Sequence, residues 1–136
     1  IDAAAVEGLI ATRAGAPTGE AVDIYNAFTG EGFTANATYA PQAYDAAFLL
    51  ALAIEKAGST DRAGIAAALR EVSSAPGEKI LPGEWTKAKE LIAAGTDINY
   101  EGAGGALDFD EAGDVDGIIV ELAVEGGTFV EKGLIQ

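Results

Sequence analysis

Asp108, Asp110, Asp114 and Asp116 crowd around Gly113, and carboxylates at that density invite a calcium reading. An EF-hand loop beginning at Asp108 needs oxygen ligands at its third and fifth positions, glycine at the sixth and a bidentate glutamate at the twelfth. Gly113 is in place, but the fifth position is Ala112 and the twelfth is Ile119. The stretch therefore reads as a polar turn joining two strands, its short carboxylates bonding their own backbone, and no metal site is expected.

Other chemistry is limited by what the chain lacks. It has no His and no Cys, which removes the usual metal ligand, the usual general base near neutral pH, thiolate nucleophiles and disulfides. Ser59, Ser73 and Ser74 have no histidine to activate them. Paired carboxylates of the glycosidase kind cannot be picked out from the many acidic residues, which read as solvated surface. The glycine run Gly102-Ala103-Gly104-Gly105 matches neither phosphate-loop spacing and reads as a tight turn. No catalytic residue and no cofactor are expected.

Two features near residue 40 do suggest a site. Tyr39, Gln42 and Tyr44 stand where a loop enters a helix, and aromatic and amide groups at such a mouth can give a ligand cleft an apolar wall with polar handles. Core packing is the other reading, for Tyr44 above all. Asp45 follows inside a strongly apolar run, where a buried acid requires a partner; a first-turn position would let the helix dipole and free N–H groups contribute.

The element carrying these residues is the most helix-prone run of the chain, Tyr39 to Ala57. Pro41 suits a first turn and Gly58 a left-handed cap. Phe48, Leu49, Leu50, Leu52 and Ile54, with alanines between them, leave almost no polar face, so the helix is expected to be buried on more than one side. It is too short, and carries too many charges, for a membrane span. Before it, Gly8 to Thr12 reads as a buried strand, and Val22, Tyr25 and Phe28 recur at helical spacing in a helix that Thr18 can cap and Gly30 ends. Phe33 and Thr34 begin the connection onward. Asn36-Ala37-Thr38 matches a glycosylation acceptor, a match short enough to arise by chance.

After Gly58, Ser59 or Thr60 can cap a helix to about Val72 with Ile65, Leu69 and Val72 on one face. Residues 73–83 read as loop, and a further helix runs from about Glu84 to Ala94, anchored by Trp85. Ala106 to Phe109 alternates like a strand. Gly117 to Val124 is a strand, and Glu125-Gly126-Gly127-Thr128 turns it back into Phe129-Val130.

The chain has 136 residues, a size that suits one compact domain or a piece of a larger protein. It starts at Ile1 and contains no methionine, which reads as a processed chain or a fragment of a longer reading frame; no targeting leader is visible. A net charge of −14, from 22 acidic and 8 basic side chains, repels phosphate backbones and anionic lipid, so nucleic acid is not an expected partner.

Taken together, Tyr39-Ala-Pro-Gln-Ala-Tyr-Asp-Ala, Ala53-Ile-Glu-Lys-Ala-Gly-Ser-Thr-Asp61, Ala66-Ala-Ala-Leu69 and Gly105-Ala-Leu-Asp-Phe-Asp-Glu-Ala-Gly-Asp-Val115 resemble the carboxy-terminal part of the branched-chain amino-acid binding proteins. These are type I periplasmic solute-binding proteins of ABC importers. Pro82 to Gly95 and Asp97-Ile-Asn-Tyr100 look like a variant from one branch of that family. The resemblance implies an α/β fold, a fragment of two three-layer α/β/α lobes that close on a ligand, ending in a C-terminal β-hairpin. Residues 1–35 would be a tail of the second lobe, 36–110 first-lobe helices and strand, and 111–136 strands returning to the second lobe.

The function so implied is capture of an amino acid, branched-chain or related, or a similar small solute in the periplasm, for a membrane permease and without catalysis. A ligand-sensing regulatory domain on the same fold is the alternative. Tyr39, Gln42 and Tyr44 are the ligand-contact candidates, most other contacts being expected upstream of Ile1. Isolated from such a parent, the chain is expected to expose a broad apolar face and to persist as a homo-oligomer.

Overall fold

The structure, a computed structural model, describes residues 2–28 and 37–135. Within them the chain forms two compact units: residues 16–116, and a second unit made from residues 1–15 and 117–136. The Phe33–Thr34 connection, Asn36 of the acceptor match and the helix stop at Gly30 lie outside the described residues.

The larger unit is built around helix α2, Ala40–Ala57. Its end follows from sequence: Gly58 adopts φ 60° and donates its N–H to Ile54 O at 3.0 Å, a left-handed cap that glycine takes without a Cβ penalty. Helix α1, Glu20–Ala27, precedes it and buries Tyr25. Its N-cap is Gly19, without a side-chain cap, so the expected Thr18 cap is not formed. Helix α3, Arg62–Ser73, is capped by Asp61, whose carboxylate accepts from the Gly64 N–H at 2.9 Å, in place of the expected Ser59 or Thr60. Ala68 and Val72 point inward from α3.

Two strands here were not expected. Glu78–Ile80 (β2) and Ile98–Gly102 (β3) pair in parallel through helix α4, Trp85–Ala93, and β3 turns back antiparallel into the short β4, Gly105–Ala106. The expected strand from Ala106 to Phe109 thus shrinks to that two-residue bridge. Gly77 makes the β2–β3 approach possible, since a Cβ there would lie 2.5 Å from the Ile98 carbonyl carbon. The core joins Leu49, Leu52 and Ala53 of α2 to Ala68, Val72, Ile80, Ala88, Ile98 and Tyr100.

Burial of α2 on more than one side is not seen within this chain, which shows instead the broad apolar face expected of a piece of a larger protein. Ala43, Ala46, Ala47, Leu50 and Ile54 form an exposed stripe in this chain, with Leu50 46% and Ile54 40% accessible. A helix with alanine on every side has no polar face from which its solvent side could be read.

The smaller unit is an antiparallel sheet in the order β1-β5-β6, from β1 (Ile10–Ala14), β5 (Ile119–Glu125) and β6 (Thr128–Ile135). The β5–β6 hairpin turns on Gly126 and Gly127, φ 58° and 78°, the pair of positive angles that a tight hairpin favours. Ion pairs Arg13–Glu131 and Lys132–Glu125 lie on this sheet. Val120 and Val124 are buried, but Ile10 is 68% exposed, so β1 is not the buried strand its apolar run suggested.

Candidate functional site

Tyr39 enters α2 in the left-handed region, φ 65° and ψ 3°, with no side-chain hydrogen bond capping the helix and its ring 63% exposed. A side chain bearing a Cβ takes that conformation at a cost of roughly 1–2 kcal/mol, and strain of this kind concentrates at functional positions. Pro41, at the beginning of the helix, is buried beside it.

Gln42 and Tyr44 face different neighbours. Gln42 is half-buried against the β3–β4 turn, where a Cβ on Gly104 would lie 3.0 Å from its Cγ. Tyr44 stacks on Phe48 (centroids 5.8 Å apart, planes 16° apart) and tilts against Tyr25 at 5.2 Å. Burial raises the Tyr44 pKa, with a backbone hydrogen bond from Gly83 acting against it. Tyr25 also has a raised pKa, through burial first and the Asp45 charge second, and its hydroxyl is buried without a hydrogen-bond partner among the described residues. The three candidates therefore share the first turns of α2 without converging on one point. Beyond Tyr44 an apolar groove of about 350 Å³ continues along α2, lined by Ala47, Phe48, Ala51 and Trp85.

Between Gln42 and Tyr44's neighbours sits Asp45, 1% exposed. It lies beyond the first turn of α2, so its stabilisation does not come from the free N–H groups there. Oδ1 accepts from the Tyr100 hydroxyl at 2.8 Å and the Ala103 N–H at 2.9 Å, and Oδ2 accepts from the Gly104 N–H at 2.6 Å. Among the described residues no cation pairs with it. Burial raises its pKa, while the Gly104, Tyr100 and Ala103 hydrogen bonds oppose that rise. Tyr100 is pushed up in turn, by its own burial and then by the Asp45 charge. Sequence alone showed that Asp45 needed a partner, but those donors lie 55 to 59 residues away and left no local signal.

The aspartate-rich loop is a polar turn, as expected. Asp110 Oδ1 accepts from the Gly113 and Asp114 N–H groups at 2.8 and 2.9 Å, and Gly113 takes φ 95°. The Arg70 guanidinium donates to the Asp110 carbonyl and lies over the Phe109 ring. These contacts, the Asp114 backbone bond foremost, hold the Asp110 carboxyl below its usual range. Among the described residues no acidic group of three could hold a metal ion, and no helix is long and apolar enough to cross a membrane.

Residues 19–122 match the family described as receptor family ligand binding region. Over 90 residues the chain is 37% identical to a chemotactic signal transduction system substrate-binding protein, BasB, of Halobacterium salinarum, covering 65% of this chain and 22% of that protein. The crystal structure of a leucine binding protein, LivK, from Thermotoga maritima superposes with a TM-score of 0.61 at 27% identity, over 96% of this chain and 31% of that one. The chain thus spans less than a third of the length of either relative.

Proposed function

The chain belongs to the receptor family ligand binding regions, proteins of type I periplasmic-binding-protein-like fold, and from that membership we propose that it is part of the solute-binding component of an ABC importer. In this reading the protein captures an amino acid, branched-chain or related, or a similar small solute in the periplasm, hands it to a membrane permease, and performs no catalysis. Residues 1–35 and 111–136 serve the second lobe, and residues 36–110 the first. Tyr39, Gln42 and Tyr44 contact the solute.

Family membership carries the reading, and the observation that directs the contact assignment within it is the mouth of α2, where an exposed, left-handed Tyr39 opens an uncapped helix. Core packing alone has no use for that arrangement. Calorimetric screening of the full-length protein against amino acids and small carboxylates tests it: saturable binding of an amino acid is expected, and silence across the panel while another solute class binds removes the amino-acid reading. As an isolated piece, the chain is expected to associate through the exposed stripe of α2, and light scattering showing a monomer would remove that part.

A second reading is favoured by the likeness to BasB, a substrate-binding protein of a chemotactic signal transduction system. Here the same capture reports to a signalling partner instead of feeding a permease. A deletion strain separates the two, since loss of solute uptake supports the importer and loss of the swimming response with uptake intact supports the sensor.

A further inference from the structure

The α2 mouth has no side-chain cap, yet it is fastened one turn further in, by a group that stability alone does not require. A buried carboxylate without a cation is an expensive way to fill a core position, and a well-packed apolar side chain would serve packing as well or better. Asp45 nonetheless sits there, 1% exposed, with its partners coming from the strand β3 and the turn that follows. The turn is cut to fit it. A Cβ on Gly102 would lie 2.5 Å from Oδ2, and one on Gly104 would lie 3.1 Å from Oδ2 and 3.0 Å from Gln42 Cγ. Gly102 and Gly104 thus let the backbone come close enough for two N–H groups to reach the carboxylate, while Gln42 rests on the same turn.

We infer that Asp45 is a positioning residue for the solute site: by binding Ala103, Gly104 and Tyr100 it clamps the first two turns of α2 to the β3–β4 turn and so sets where Tyr39 and Gln42 stand. This rests on the reading of Tyr39 and Gln42 as solute contacts. Asp45 acts through them and touches no solute. The substitution Asp45→Asn keeps the shape but puts an NH₂ in place of one oxygen, where it opposes either the Gly104 N–H or both the Ala103 N–H and the Tyr100 hydroxyl. The clamp then opens at the Gly104 or the Ala103–Tyr100 side, and the helix mouth loses its register before the core is disturbed.

The test compares wild-type full-length protein with Asp45→Asn and Tyr100→Phe, using L-leucine as the calorimetric probe and peptide-resolved hydrogen exchange without ligand. In Asp45→Asn, exchange is expected to rise in residues 40–46 and 102–105 while α3 and α4 keep their protection, and L-leucine affinity to fall on the order of tenfold, the equivalent of one lost buried hydrogen bond. Wild-type binding with Asp45→Asn affinity within about twofold overturns the inference. If wild type does not bind L-leucine, it is the choice of solute in the proposed function that fails; the exchange comparison then decides here, and unchanged protection of residues 40–46 overturns the clamp. If Asp45→Asn does not fold, Tyr100→Phe, which retains both amide bonds, must show the same localised rise in exchange at smaller size, and its absence overturns the clamp.

Discussion

From Leu49 to Gly58, α2 is ordinary core helix: Leu49, Leu52 and Ala53 are buried against α3, β2 and β3, and a left-handed glycine ends it. From Tyr39 to Asp45 the same helix opens on a left-handed tyrosine, carries no cap and buries a carboxylate on a glycine turn. Core packing accounts for the first half and for little of the second. The difference teaches that burial in this chain takes two forms, and that polarity and backbone strain, more than depth, tell them apart.

The largest effect should come from the core half. Leu52→Ala removes a side chain with no solvent exposure and should lower stability by roughly 2–5 kcal/mol in denaturant melts. A loss under about 1 kcal/mol would break the comparison at its firmer end. Tyr100→Phe, which deletes a hydrogen bond to the buried carboxylate, should cost about 1.5–3 kcal/mol and also loosen the helix mouth.

Acidity separates the halves by sign. Because burial holds the folded Asp45 pKa above its unfolded value, the folded state binds the proton more tightly. Its contribution to stability is therefore fully present below the unfolded value, roughly 3.9, and is lost as pH rises through the folded pKa. Against Asp45→Asn, which does not titrate, wild-type stability should decline as pH rises from about 4 toward neutrality. A difference that grows with pH would mean that the three hydrogen bonds outweigh burial. The smallest effect belongs to the solvent side: Leu50→Ala, at a site 46% exposed, should change the stability of the unassociated chain by about 0.5–1 kcal/mol at most.

Much of this was legible. Pro41 and Gly58 bracketed α2 because proline and glycine have backbone preferences that tertiary structure rarely overrides. The Gly126-Gly127 hairpin was readable for the same reason. β2 was not, since Glu78-Lys79-Ile80 lies between Pro76-Gly77 and Pro82-Gly83 and becomes a strand only through its parallel partner β3. Which face of α2 this chain leaves open, Leu50 included, was not readable either, because an alanine-rich helix gives no periodic signal of which side meets water. At the candidate site the residue types of Tyr39, Gln42, Tyr44 and Asp45 could be named, but the fit of the carboxylate to Gly102 and Gly104 depends on a contact across more than fifty residues. No spacing rule reaches that far.

Tyr39→Gly puts the central claim to the most direct test, because function and stability pull it in opposite directions. Glycine accepts φ 65° without strain, so removing the tyrosine should leave the melting stability of the full-length protein unchanged or raise it by up to about 1 kcal/mol. L-leucine affinity, measured by calorimetry on the same samples, should fall on the order of tenfold. Lower stability with unchanged affinity would contradict the account and return Tyr39, and with it the mouth of α2, to the packing of the fold.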